Sequence, residues 1–191
     1  MPFIFRPWHE MDGGWFWWGS NQCTPEQFKE LFAFTIDYLK NEKGLKDMLV
    51  AYSPDRNFNS ESEYLTWYPG DAIVDILGMD NYYDLKQDGG EVEAIRKMHL
   101  VIGLAKKKNK FSAFTETGLE NVTDPNWYDE KLGIVLADSL VKNEISYVMV
   151  WRSDPDVHYF FPYPGHPGEE SARRLLSRPE ILLLKNFNDL K

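Results

Sequence analysis

The sequence predicts an α/β chain in which residues 1–191 form one domain, part of a (β/α)8 barrel with about five βα units. Three observations predict it. Strand-like runs alternate with helix-like segments along the chain, the pattern of a parallel sheet covered by helices. The ends of those runs, at Glu10, Ser53, Asp80, Glu116 and Trp151, fall 27 to 43 residues apart, around the roughly 31 residues per unit of an eight-unit barrel. A chain of 191 residues, 43% hydrophobic and 27% charged, has the composition of one folded domain with a core of its own. Closing a barrel takes about three more units, on the order of 100 residues. Five units therefore read as the C-terminal five-eighths of a barrel or as a smaller open α/β sheet.

The elements follow in order. Strand-like runs lie at Phe3–Arg6, Met48–Ser53, Ile73–Met79, Phe111–Thr115 and Ser146–Trp151. In the first helix Thr24 is the cap, Pro25 suits the first turn and Gln27 completes a capping box, while Phe28, Leu31, Phe32 and Leu39 mark a buried face and Gly44 ends it. A second helix is expected over Glu91–Lys107, and a third over Asn126–Asn143 with Leu132, Val135, Leu136, Ser139 and Leu140 inward. Glu169–Leu176 gives a shorter fourth, after the Pro/Gly-rich loop Pro162–Gly168. Asp154 and Asp156, around Pro155, are turn formers.

Composition excludes several classes. A net charge of −9 repels phosphate backbones, and the run Lys106-Lys107-Lys108 is too short to overturn that, so nucleic acid is set aside. A single cysteine, Cys23, allows no internal disulfide and no zinc-type spacing. No stretch approaches the roughly 20 apolar residues of a membrane span, and Met1-Pro2-Phe3 opens no leader of a basic then an apolar segment.

Glu10 and Glu116 each stand where an apolar strand-like run ends, the place where barrels gather functional side chains. Two carboxyls facing a sugar bond divide the labour, one protonated as acid and one ionised as nucleophile. Trp8, His9 and Trp15 around Glu10 would exclude water and raise its pKa. Glu116 needs donors instead, and Tyr82 and the charge of Arg152 are the candidates. The bland alternative is a pair of capping and surface glutamates. Aromatics make up 15% of the chain. In the dense run Trp15-Phe16-Trp17-Trp18, Trp15 leans toward a ligand and Trp17 and Trp18 toward the core; His158 and His166 are expected at the surface of the last loop.

Five ordered blocks then resemble glycoside hydrolase family 26, the β-mannanase family of a retaining (β/α)8 clan. They are Arg6-Pro7-Trp8-His9-Glu10-Met11-Asp12-Gly13-Gly14-Trp15-Phe16-Trp17-Trp18-Gly19, Tyr52-Ser53-Pro54-Asp55 with Tyr68-Pro69-Gly70-Asp71, Val74 through Tyr82, Phe114-Thr115-Glu116-Thr117-Gly118, and Trp151-Arg152-Ser153-Asp154. The resemblance implies strands 4 to 8 of the family fold, with the first three βα units absent here. It implies that Glu10 is the acid/base and Glu116 the nucleophile, that His9 helps hold the sugar and that Tyr82 hydrogen-bonds the nucleophile from the strand face it shares with Asp80. It further implies that Trp15 stacks on the leaving-group side, Trp151 floors the subsite of the attacked sugar and Arg152 contacts that sugar. Asp12 stands where many members carry asparagine or threonine.

The implied function is endo-acting, retaining hydrolysis of β-1,4-mannosidic linkages in β-mannan or manno-oligosaccharides, without cofactor or metal. A same-family β-glycanase on mixed-linkage glucan or β-1,3-xylan is the alternative, and a non-catalytic glycan-binding fragment a third. The chain alone is expected to be weakly active or inactive, with the N-terminal half of the barrel as a partner. An extracellular or periplasmic address follows from the family only.

Overall fold

The computed structural model describes residues 2–154 and 156–183. Five strands, β1 (Phe3–Phe5), β2 (Met48–Tyr52), β3 (Ile76–Asp80), β4 (Phe111–Thr117) and β5 (Ile145–Val150), form one sheet in that spatial order. Every neighbouring pair is parallel. Parallel neighbours need long crossovers, and helices supply them: α1 (Pro25–Asp37), the short α2 (Glu61–Tyr64), α3 (Gly90–Lys108), α4 (Gly133–Ala137) and α5 (Ser139–Glu144), with α6 (Glu169–Leu176) after β5. The sheet curls into a half-barrel, the part of a (β/α)8 barrel that the strand spacing predicts. No helix among the described residues is long and apolar enough to cross a membrane.

Alternation along the strands sends Val50, Tyr52, Leu77, Met79 and Phe114 to the helix side, where they pack with Phe28 and Phe32 of α1 and Met98, Val101 and Ile102 of α3. Full burial of each such side chain contributes about 1.5–3 kcal/mol. A smaller cluster lines the inner side, where Ala51, Ile76 and Ala113 meet Tyr147. Strict alternation from Ala113 through Thr115 would turn Glu116 toward the helices. The register between β3 and β4 slips by one residue instead, pairing Met79 with Phe114 but Asp80 with Glu116. Thr115 is the extra residue of this bulge, which brings Glu116 round to the inner face beside Asp80.

Three expected elements differ in detail. β3 starts at Ile76, not Ile73, because Asp75 folds its carboxylate onto the backbone of β2, accepting from Val50 N at 2.8 Å. The capping box on α1 is present, with Gln27 N donating to Thr24 Oγ1 and Thr24 N to Gln27 Oε1. Beyond Asp37 the helix widens into a π turn, Tyr38–Glu42, which carries Leu39 half-buried.

The third helix is broken into a π turn at Tyr128–Leu132, α4 and α5. Asp138 leaves the helical conformation at ψ 134° and accepts from Leu140 N and Val141 N, both at 3.0 Å, while His99 Nε2 contacts the same oxygen at 2.7 Å. The break rotates the buried face. Leu132, Val135, Leu136 and Val141 point inward, whereas Ser139 is exposed and Leu140 half-buried.

Asp154 Oδ1 accepts from Asp156 N at 3.1 Å, so the expected turn forms, although Pro155 itself lies outside the described residues, as does Met1. Replacing Asp138 by alanine removes an N-cap, and chemical denaturation is expected to show a loss of about 1 kcal/mol. An unchanged midpoint would show that α5 does not depend on this cap.

Candidate active site

The chain leaving β1 is strained where it matters. Trp8 and Glu10 both lie in the left-handed region, at φ 54° and 53°, which costs of order 1–3 kcal/mol per residue and persists only where surroundings fix it. Here Trp8 Nε1 donates to Thr35 Oγ1 on α1 at 3.0 Å, and Glu10 N donates to Ser53 O at the end of β2 at 2.9 Å. Trp18 Nε1 holds His9 O at 2.9 Å, and Phe16 stacks on Trp18 with centroids 4.3 Å apart. The loop closes on itself at Gly19, where a β-carbon would stand 2.3 Å from Gly13 O. Trp15 stays 58% exposed, with its Nε1 donating to Glu10 Oε2 at 2.9 Å.

Across the sheet, one guanidinium joins two carboxylates. Arg6 Nη1 reaches Asp80 Oδ2 at 2.6 Å and Ser53 Oγ at 3.2 Å, and Nη2 donates to Glu116 Oε2. Tyr82 donates its hydroxyl to the other oxygen of Glu116 at 2.6 Å. Sequence reasoning expected a nearby cation and named Arg152. The structure corrects this: Arg152 is largely exposed and faces Asp154 at 3.5 Å, while Arg6 holds Glu116.

Burial and charge divide the titratable groups. Burial first, then the Glu116 and Asp55 charges, push the Glu10 carboxyl up to about 7 against the opposing Trp15 hydrogen bond and Arg6. Burial, with Arg6 behind it, pushes His9 down to about 4 and leaves its ring neutral at pH 7. Asp80, fully buried, is raised by desolvation and by Glu116, with Arg6 opposing. The Tyr82 phenol is raised by burial and by the Glu116 charge, which keeps it a donor.

His9, Glu10, Trp15, Tyr82, Glu116 and Trp151 line one open cleft of about 520 Å3, together with Asp55, Arg56, Tyr83 and Phe160. Asp80 lies beneath the floor, and Arg152 stands outside the lining. Two other expectations are overturned. Trp17 is 62% exposed, edge-on to Trp8, and not core. His166 is buried, accepting from Gly168 N through Nδ1 and meeting the Tyr159 hydroxyl at 3.2 Å, and not at the surface.

His9, Asp80 and Glu116 bring ligand-type atoms within 4.8 Å of one another, the one such group among the described residues. Arg6 already bridges both of its carboxylates. A second cavity, about 480 Å3 and mostly aliphatic and aromatic in lining, lies against β5 and α6, away from the carboxylates.

Parallel strands whose ends bring a carboxyl with a raised pKa to one side of a cleft, and a second carboxyl bound by guanidinium and phenol to the other, define the class of glycoside-hydrolase barrels. The chain belongs to glycosyl hydrolase family 26, whose profile matches residues 1–148. A mannan endo-1,4-beta-mannosidase of Bifidobacterium adolescentis is 37% identical over 98% of this chain, which covers 20% of that protein. The solved structure of GH26C from Muricauda sp. superposes with a TM-score of 0.89 at 41% identity, covering 97% of this chain and 50% of the other. A GH26 beta-mannanase from Bacteroides ovatus gives the same TM-score at 37% identity, over 97% and 53%. The chain spans about half the length of these solved relatives.

Asp12 sits just behind the cleft. Its Oδ1 accepts from Asp55 N at 2.7 Å, its Oδ2 is buried without a partner, and burial with the Asp55 charge pushes its pKa from 3.8 to about 7. The folded state thus resists ionisation. Stability is undiminished below about pH 4, falls as pH rises from there to about 7, and stays lowered above it. Asp12→Asn keeps the acceptor and removes the titration. Denaturation midpoints between pH 5 and 8 are expected to fall less steeply for this variant than for the parent, and parallel curves would refute the assignment.

Proposed function

We propose that this site performs retaining hydrolysis of internal β-1,4-mannosidic bonds, with Glu116 as nucleophile and Glu10 as acid/base. The observation that carries the reading is the difference in surroundings of the two carboxyls. Glu10 keeps a proton to about pH 7, and Glu116 is aimed into the same cleft by Arg6 and Tyr82.

In the first step a Glu116 oxygen forms a bond to the anomeric carbon while the bond to the leaving oxygen breaks and Glu10 gives that oxygen its proton. Glu10, now ionised, takes a proton from water, whose oxygen attacks the same carbon and releases Glu116. Neutral His9 can donate to or accept from a sugar hydroxyl beside Glu10. Trp15, fixed to Glu10 by its indole N–H, offers its exposed face to the departing sugar, and Trp151 and Phe160 offer apolar surface on the Glu116 side. The mannan preference is supported by the named relatives. The residues 1–191 then act as the C-terminal part of a catalytic (β/α)8 domain, and a polymer substrate that does not cross membranes supports an extracellular or periplasmic address.

Assay of the whole (β/α)8 domain on galactomannan, glucomannan, mixed-linkage glucan and β-1,3-xylan is expected to show turnover on the two mannans, and preference for either of the others would sink the substrate assignment. Proton NMR of the first product should show the anomeric configuration retained. Because Glu10 must carry its proton, kcat/KM is expected to fall as pH rises past about 7. Glu10→Gln should lower kcat by about 10²- to 10⁴-fold on mannan and abolish that alkaline limb; a limb that persists would assign it to another group.

A further inference from the structure

Lys97 is buried in α3, 4% exposed, and no step of the reaction uses it. A buried ammonium requires a partner, and its partner lies in the segment that carries Tyr82. Lys97 Nζ stands 2.9 Å from Asp84 Oδ2, with Glu93 farther off at 3.5 Å. Glu93 is taken more closely by Arg96, at 2.6 Å, so Asp84 is the principal partner of Lys97.

The same oxygen of Asp84 accepts from Asn81 Nδ2 at 2.7 Å, and Asp84 N donates back to Asn81 Oδ1 at 3.1 Å. Residues 81 to 84 are thereby closed into a ring, with Tyr82 and Tyr83 between its two fixed ends. Asn81 is itself tied to β4, donating from its backbone N to Glu116 O at 2.9 Å and accepting from Thr117 Oγ1 at 2.8 Å. α3 approaches the ring so closely that a β-carbon on Gly90 would lie 1.8 Å from Asp84 O.

We propose that Lys97 is a positioning residue: by pinning Asp84 it holds the 81–84 ring in the shape that aims the Tyr82 hydroxyl at Glu116. The proposal rests on the reading of Glu116 as nucleophile and adds a residue roughly two turns into a helix, behind the sheet, to the set that prepares it. Tyr82 is otherwise steadied on its outer side by Phe160, ring centroids 5.7 Å apart. The Arg56 guanidinium stands 3.9 Å from the Tyr83 ring centroid on the cleft side, and Lys97 is the charged group that meets the 81–84 ring from α3. A hydrogen bond of 2.6 Å tolerates little displacement. Releasing Asp84 therefore loosens the phenol without touching the cleft lining.

The test uses the purified enzyme with 3-fluorotyrosine in place of tyrosine, the Tyr82 fluorine resonance being the one lost in Tyr82→Phe. Lys97→Met is expected to move that resonance by more than its linewidth and to slow labelling of Glu116 by a 2-fluoromannosyl inactivator roughly tenfold or more. KM for manno-oligosaccharides should stay within about twofold, since no cleft residue is changed. Because Lys97→Met strands the Asp84 charge in the interior, Lys97→Met combined with Asp84→Asn, which leaves neither charge, gives the same readings should the single variant fail to fold. A Tyr82 resonance in its parental position, with only the melting temperature lowered, overturns the proposal. The fluorine reading needs no turnover: a parent enzyme that neither labels nor cleaves mannan with its whole (β/α)8 domain present refutes the proposed function, and the resonance still decides the role of Lys97.

Discussion

The site depends on a single guanidinium. Three carboxyl groups, Glu10, Asp80 and Glu116, converge at the ends of β1, β3 and β4, and two of them are almost fully buried beside each other. Were both ionised, two like charges at about 4 Å would repel by about 4 kcal/mol at an effective dielectric constant of 20. Arg6 offsets this repulsion by contacting Asp80 and Glu116 at once, with Ser53 as a third partner. It also links β1, at one end of the strand order, to the two strands that carry its partners. Charge balance and strand placement thus rest on the same contacts.

Around that centre the environment, not the residue type, assigns the roles. Glu10 and Glu116 are chemically alike, yet one is surrounded by an indole, an imidazole and other acids, and the other by a cation and a phenol. The strained backbone at Trp8 and Glu10 belongs to the same design. Anchors on α1 and β2 impose a conformation the chain would not adopt alone, and the carboxyl of Glu10 is presented from it.

Much of this was legible in the chain. The Thr24-to-Gln27 capping box, the strand-end acids and the family-like blocks identified the half-barrel and placed Glu10, Tyr82 and Glu116 together. What escaped reading has physical causes. Period-two alternation gives no warning of the bulge at Thr115 that turns Glu116 inward. Arg6 looked like one more strand residue, because the partners that define it come from 74 and 110 positions away. Arg152 was favoured by its nearness to a strand end, which says nothing of where a long side chain points. Asp138 was read as an ordinary helix residue, although its short carboxylate competes for the backbone and ends one helix while starting the next. Among the tryptophans, hydrophobicity alone could not separate Trp17, exposed, from Trp18, packed beneath His9 and Phe16.

The bulge and the curl of the sheet together act as a caliper. Glu10 follows β1 and Glu116 lies near the end of β4, and in a flat sheet three strand spacings would hold those ends roughly 14 Å apart. Double displacement works across roughly 5–5.5 Å, and roughly 6.5–9.5 Å belongs to the inverting reaction. The proposed mechanism asks curvature and inward-reaching side chains to make up the difference. Under the proposed mechanism sheet stiffness becomes a determinant of stereochemistry: substitutions far from the cleft that flatten the strands by an ångström or two would keep every functional group present, move the two carboxyls apart and change which anomer is released.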